Sequence, residues 1–336
     1  MRVSGMLGAD LDMAPLAIAE LEKRGYDAAF TAEINNDPFF PLVLAAAHSQ
    51  GIALTTSISV AFARNPMTMA NLAWDLNQYS KGRFSVGLGS QIKPHITRRF
   101  SMPWSRPAAR MREFILAMRA IWACWDTGEA LDFNGEFYQH NLMTPMFTPH
   151  NAGYGAPGVN LAAVGPMMAE VAGEVADGVI AHGFTTAKYL REVTLPAVER
   201  GLAKSSRQRE NFDVSLPAMV VAGVNEAAFE QSRSAVQSQL AFYASTPAYR
   251  PVLELHGWGD LQGEAHRMTR EGRWDAMGEL ITDDILHTFA VVSEDIEQVP
   301  ALLAERYKGL ADTWMCTLET GQGDLQQQLI AAVQNT

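Results

Sequence analysis

Val159-Asn160-Leu161-Ala162-Ala163-Val164-Gly165-Pro166-Met167, followed by Ala176-Asp177-Gly178-Val179-Ile180-Ala181, decides how the rest of the chain is read. Val159–Val164 is a short apolar run of strand length. Gly165 and Pro166 punctuate it, and Pro166–Ala176 continues as a helix with proline at its start, where a missing N–H costs nothing. Gly178–Ala181 returns to a strand. A strand, a crossover helix and a second strand form a unit whose strands run parallel, because the helix carries the chain back to the same end.

The same alternation extends in both directions. Towards the N-terminus, strands are predicted at Arg2–Leu7, Tyr26–Thr31, Ile52–Val60 and Arg83–Leu88. Helices are predicted at Ala14–Arg24, Phe39–Ser49 and Met67–Tyr79, the first stopped by Gly25 and the last opened by Pro66. An irregular stretch, Gly89–Arg106, leads to a helix at Pro107–Trp125 and a hairpin excursion at Leu131–Phe147. Towards the C-terminus come a helix at Ala187–Lys204, a strand at Phe212–Ala222 and a helix at Glu226–Tyr243. An insertion with short helical pieces (245–295) follows, then a helix at Ile296–Lys308, a strand at Ala311–Thr317 and a last helix at Leu325–Val333. Eight strands, each followed by a helix, predict an α/β fold of the (β/α)₈ TIM-barrel type, a single domain over 1–336 with insertions after strands four and seven. An open doubly wound sheet is the alternative.

Lys plus Arg number 26 against 37 Asp plus Glu, a formal charge of −11 that argues against a nucleic-acid partner. The first residues are too short an apolar run for a signal peptide, and no stretch approaches a membrane span, so no membrane partner and a cytoplasmic location are expected. Cys124 and Cys316 read as two buried thiols rather than a disulfide framework. No metal-ligand spacing, P-loop, nucleophile elbow or paired-carboxylate constellation appears.

In a (β/α)₈ barrel the chemistry sits at the carboxyl ends of the strands. Small and polar residues gather there: Gly8, Thr31-Ala32-Glu33, Ser57-Ile58-Ser59-Val60, Gly89-Ser90-Gln91, Gly165-Pro166 and His182-Gly183-Phe184. Such residues let main chain approach a broad, flat ligand. Gly165-Pro166-Met167 opens a helix whose first N–H groups would receive a phosphate; the plain reading is a turn.

Several stretches together resemble the luciferase-like monooxygenase superfamily. Gly82-Arg83-Phe84-Ser85-Val86-Gly87-Leu88-Gly89 is similar to its fourth strand, and Thr55–Pro66 to its third strand and exit loop. Asn160–Met167 with Ala176-Asp177-Gly178 is similar to its fifth-to-sixth strand unit, and Asn134-Gly135-Glu136-Phe137-Tyr138 to its hairpin. Gln91–Trp104 most resembles members that use coenzyme F420, an 8-hydroxy-5-deazaflavin. The resemblance implies an oxidoreductase that transfers a hydride between F420 and a small organic substrate. It also implies a non-prolyl cis peptide at Ser57–Ile58 behind the ring, and a homodimer paired through barrel helices. By that resemblance the cofactor contacts are Ser57, Ile58, Ser59, Gly89, Ser90, Gln91, Lys93, Val164, Gly165, Pro166, Met167, His182, Gly183 and Phe184. Glu33 and His95 are the candidates for proton handling, with Ile34 standing where the family often has His.

Each residue also has a plainer reading. Glu33 would accept backbone N–H groups near the next helix, His95 would sit in a surface loop, and His182 would fill a strand end. Lys188 is a phosphate contact or a solvated lysine. Lys93, Arg98 and Arg99 meet the oligoglutamate tail of F420 or form a solvated basic loop. Trp74, Trp122 and Trp125 read as packing. Trp104 and Phe100 are candidates for a pocket wall, and one of the second insertion's Tyr249, His256 and Trp258 is expected to line the substrate pocket, the sequence not marking which. Two further functions stay open. One is an FMN-dependent monooxygenase served by a separate reductase; the other is a barrel that binds a ligand without catalysis.

Overall fold

A computed structural model describes residues 1–336. The strands are Arg2–Met6, Ala28–Thr31, Ala53–Thr56 continued by Ser59–Val60, Phe84–Gly89, Gly158–Ala163, Gly178–Ala181, Asp213–Leu216 and Thr313–Cys316. Their hydrogen-bonded order follows the chain from the first strand to the eighth; the eighth pairs back to the first, so the sheet closes. Every recorded register in this sheet is parallel. This is a (β/α)₈ barrel. No helix is long and apolar enough to cross a membrane.

By compactness the chain divides into a larger unit, Ser4–Ile180 with Ala197–Asp213, and a smaller one, Met1–Val3, Ala181–Pro196 and Val214–Thr336. In the larger unit the helix Pro107–Thr127 shows why its residues pack as they do. Met111, Phe114, Ile115, Met118, Ile121, Trp122 and Trp125 recur at helical spacing and are buried as one stripe. Trp122 donates its indole N–H to the Ala70 carbonyl (3.1 Å), and Trp74 donates to that of His150 (3.1 Å). Trp74 and Trp125 meet edge to face at 5.6 Å, so all three tryptophans are packing residues. The hairpin forms with Phe133 opposite His140 and Asn134 opposite Gln139. The Glu113 carboxylate takes the N–H groups of Glu136, Phe137 and Tyr138 and fixes its turn to the long helix.

The third strand is broken where the resemblance places a bulge. Leu54 pairs with Phe84 and Thr55 with Ser85, an offset of 30. Beyond the break Ser59 pairs with Leu88 and Val60 with Gly89, an offset of 29, so the third strand carries one residue more than its neighbour. The Ser57–Ile58 bond inside the break is cis.

The run Phe212–Ala222, a single strand by its apolar pattern, divides into two. Asp213–Leu216 belongs to the barrel, and Met219–Val221 pairs in parallel with Ala290–Val292 in a separate two-stranded sheet. Pro217 has no N–H to give to a ladder, which ends the first segment. Ala290–Val292 lies within the insertion assigned only helical pieces; it follows the helix Asp283–Phe289 without a break. The helix after the sixth strand widens to a π turn at Leu190–Thr194, just before Leu195–Lys204. Pro196 lacks the N–H that an α-helix would require there. Cys124 and Cys316 are buried and form no disulfide.

Candidate active site at the strand exits

The larger unit holds most of the predicted site residues. At the exit of the second strand, the Glu33 N–H donates to the Ile58 carbonyl (3.0 Å). The Glu33 carboxylate Oε2 accepts the Val60 N–H at 2.7 Å and Arg64 Nη1 at 2.6 Å. Arg64 Nη2 reaches Asp37 Oδ2 at 2.9 Å. The Glu33 and Arg64 side chains are 8% and 14% exposed, so this charge-assisted pair is largely shielded from water. Both ends of the bulge are therefore tied to the second strand, since the Ser57 N–H also donates to the Thr31 carbonyl (2.6 Å). Glu33 takes the plainer of its two readings in this geometry, a carboxylate that collects donors. Sequence reasoning missed Arg64; a lone arginine between an apolar strand and the Asn65-Pro66 helix start was the available signal.

The bulge rests directly on the fourth strand. Thr56 Oγ1 donates to the Gly87 carbonyl (2.7 Å) and accepts the Gly87 N–H (2.9 Å). Ser59 Oγ donates to the same carbonyl at 3.0 Å and is fully buried, so its hydroxyl builds the bulge. Added carbon at Gly87 would lie 1.8 Å from the Thr56 oxygen, and at Gly89 2.7 Å from Ile58 Cδ1. Only glycine permits this approach, which leaves Ser57 and Ile58 half-buried on top.

Ser90 Oγ donates to the Gln91 carbonyl, and Gln91, at a left-handed φ of 57°, folds its amide oxygen back to accept the Ile92 N–H. Lys93 and His95 are exposed, on a segment that forms a π turn over His95–Arg99. Arg99 donates to the Ile34 carbonyl (2.7 Å) and lies 4.8 Å over Phe100, so of the basic trio it has protein partners. Trp104 meets Phe62 edge to face at 5.8 Å, half-buried beside the exit of the third strand. At the fifth strand Gly165 caps the helix Pro166–Val175 with no side chain engaging its first N–H groups, and carbon added at Gly165 would meet nothing within 4 Å. Val164 is half-buried; Pro166 and Met167 are exposed. An open, uncapped helix start of this kind fits a phosphate.

The smaller unit holds His182, Gly183 and Phe184. Phe184 is buried, stacked on Phe289 at 4.6 Å. The Phe184 N–H donates to His182 Nδ1 (3.0 Å), while Nε2 meets the Tyr249 hydroxyl at 3.1 Å. The imidazole stacks on Tyr249 (4.5 Å) and takes the edge of Tyr243 (4.7 Å). Burial pushes the His182 pKa down to about 4 and that of Tyr249 up to about 12, charge repulsion with the Tyr243 phenol adding to the latter. A carbon added at Gly183 would lie 3.4 Å from the Pro217 carbonyl oxygen. Lys188 Nζ donates to the Leu255 carbonyl, and Thr186 Oγ1 meets His256 Nε2 at 2.9 Å. His256 stacks on Trp258 at 5.1 Å. Of Tyr249, His256 and Trp258, Tyr249 is the one that meets His182.

A barrel with a bulged third strand on a fourth-strand glycine pair, and an open helix start after the fifth strand, is the class of site that these observations define. Residues 4–313 match the sequence model of the luciferase-like monooxygenase family, and the chain belongs to that family. It is accordingly an oxidoreductase. A Mycobacterium tuberculosis protein described only as uncharacterized is 51% identical over 312 residues, 93% of this chain and 92% of its own length. The F420-dependent glucose-6-phosphate dehydrogenase of Intrasporangium calvum is 29% identical over 208 residues, 57% of this chain and 60% of that protein. Among solved structures, the coenzyme F420-dependent tetrahydromethanopterin reductase of Methanopyrus kandleri superposes with a TM-score of 0.79 at 18% identity. That superposition covers 98% of this chain and 96% of the other.

Proposed function

We propose that this oxidoreductase binds coenzyme F420 and exchanges a hydride between it and a small organic substrate. The observation that carries the reading is the shelf made by Ser57 and Ile58 over Gly87 and Gly89, where the chain spends two glycines to bring main chain up behind one surface. A flat tricyclic ring is the ligand such a shelf suits. The F420-dependent dehydrogenase relative supports the choice of cofactor.

When bound, the deazaflavin would supply a carbon that accepts or donates a hydride. The chain's own residues do the rest. Thr56 and Ser59 hold the bulge on the Gly87 carbonyl. Glu33, through Arg64, Val60 and Ile58, fixes the bulge against the second strand and so acts as a positioning residue. Gly165 and the first N–H groups of Pro166–Val175 would take the phosphate, and Lys93, on an exposed segment, the acidic tail. His95, exposed beside them, is within the segment suited to proton exchange with solvent. Two buried thiols outside any disulfide fit a reducing cytoplasm.

A parallel titration of the purified protein with F420 and with FMN, followed by fluorescence and calorimetry, tests the reading. Micromolar or tighter F420 binding is expected, about 8 kcal/mol, with FMN at least tenfold weaker. Preference for FMN would move the protein to the monooxygenase reading, and binding of neither would overturn both.

A further inference from the structure

We propose that Arg99 binds an oxyanion at the rim of the Ser57–Ile58 shelf, leaving the Ile34 carbonyl for a carboxylate or phosphate of the molecule that lies there. The inference rests on the proposed function only for the identity of that molecule.

The place of Arg99 follows from two hydrogen bonds, both within the larger unit. The Glu33 N–H holds the Ile58 carbonyl at 3.0 Å, and Ile34 is the next residue. Arg99 Nη2 donates to the Ile34 carbonyl at 2.7 Å, from 65 positions along the chain. Strand three lies between strands two and four, so Arg99 reaches across the exit of the strand that carries the bulge. Its backbone is held in place: Ile96 is fully buried, and the Phe100 N–H donates to the His95 carbonyl at 2.9 Å. Only the exposed side chain has to turn.

The charge of Arg99 is not neutralised where it rests. Its partners, a carbonyl and the Phe100 ring at 4.8 Å, are both uncharged. The two carboxylates of the neighbouring loop, Glu33 and Asp37, are engaged by Arg64 at 2.6 and 2.9 Å. From Leu76 to Arg112 the chain has eight Lys or Arg and no Asp or Glu, against a net charge of −11 for the whole. Arg106 and Arg112 are matched by Glu136 and Glu174, whereas Lys93 and Arg98 are exposed on the segment of Arg99 and add to its field. An oxyanion makes a charge-assisted bond to a guanidinium, roughly twice as strong as one to a neutral acceptor. The bond to Ile34 is exposed, so water takes over the carbonyl when Arg99 leaves, and the exchange costs little. A planar guanidinium also offers a carboxylate or phosphate two parallel N–H donors, which a lysine ammonium does not reproduce.

Calorimetric titration of the full-length protein tests the proposal. The anionic titrants are F420, tri-γ-glutamate and inorganic pyrophosphate; the control is 8-hydroxy-5-deazariboflavin, which lacks phosphate and tail. Arg99→Gln is expected to weaken at least one anionic titrant tenfold or more and to leave the control unchanged. Arg99→Lys should recover part of that loss, since it keeps the charge and loses the fork. Arg98→Gln removes the same charge one residue away and should cost less than threefold. In ¹⁵N spectra of the wild type, the Arg99 Nε–H signal should shift on adding the same anion. A loss that includes tri-γ-glutamate assigns the tail carboxylates to Arg99, and a loss for pyrophosphate alone assigns a phosphate. Equal affinities for wild type and Arg99→Gln, an equal loss in Arg98→Gln, an unmoved Arg99 signal, or no saturable binding of any anionic titrant would each overturn the proposal. The two readings fail separately: anion discrimination without F420 binding ends the F420 reading and leaves Arg99 in its role, and F420 binding that ignores Arg99 does the reverse.

Discussion

At the residue scale, His182 has a consequence for stability that the proposed chemistry does not require. Its pKa in the fold is about 4, lowered by burial, against an ordinary value near 6.5. Above pH ~6.5 the ring is neutral folded and unfolded, and the difference costs nothing. As pH falls below that, the unfolded chain takes up a proton that the folded one refuses until about pH 4, so stability is lost across this window. The loss approaches roughly 2–3 kcal/mol by pH ~4.5. His256 and His140 are also pushed down by burial and act in the same direction, so the comparison needs a variant. Denaturant melts from pH 7 to 4.5 should show His182→Gln losing less stability than wild type by about that amount; parallel losses would remove the explanation. Residue-scale function was only half legible in the sequence. Glu33 stood out by its place at a strand end, but its partner Arg64 lies 31 positions on, and only the fold brings them to 2.6 Å. Tyr249 is one of several aromatics in the insertion, and nothing in sequence marks which one meets His182.

At the scale of elements, the bulged third strand and the glycines beneath it make a prediction with an internal control. An alanine methyl at Gly87 would lie 1.8 Å from a backbone oxygen, which can move only if the two strands part. At Gly89 it would meet the Ile58 side chain at 2.7 and 2.8 Å, and a side chain can rotate away. Gly87→Ala should therefore cost about 3 kcal/mol or more, and Gly89→Ala about 1 kcal/mol. The second variant should instead lose F420 affinity, because a displaced Ile58 enters the face proposed for the ring. Thermal melts beside F420 titrations check both, and equal destabilisation with unchanged binding would count against the shelf. The elements themselves were largely readable, since strand and helix periods differ and proline and glycine mark most boundaries. The readings failed where a local signal was too weak. Met219–Val221 continues the apolar pattern of the seventh strand past Pro217, and its three-residue partner Ala290–Val292 follows a helix with no turn residue between them. Pairing of such short strands is decided by tertiary packing rather than by propensity.

At the scale of the whole molecule, the helix Phe39–Ala47 is the element that a solitary chain explains least. It reads Phe-Phe-Pro-Leu-Val-Leu-Ala-Ala-Ala and holds no polar side chain. Phe39, Leu42, Ala45 and Ala46 face inward and are buried. Phe40, Val43, Leu44 and Ala47 recur at helical spacing on the other side, with Phe40 63% and Val43 43% exposed. A helix apolar on both faces belongs between two layers, and only one layer is present. The packed neighbour Ala14–Lys23 adds Leu16, 67% exposed. We propose that a second copy of this chain covers the patch across a two-fold axis, the homodimer that the family resemblance implies. In such an interface each substituted residue acts twice. Phe40→Glu with Val43→Glu would set four carboxylates against one another at the axis while leaving the buried stripe untouched. Sedimentation equilibrium at tens of micromolar should then give a dimer for wild type and a monomer for the double variant, with near-ultraviolet dichroism reporting an unchanged core. A wild-type monomer, or a variant that stays dimeric, would show that this face pairs with something else or with nothing; the net charge of −11 makes the second copy the harder partner to bring together, so the apolar stripe must outweigh a repulsion that salt weakens. The dimer should accordingly tighten as salt rises from 50 to 300 mM, whereas an interface held by ion pairs would loosen.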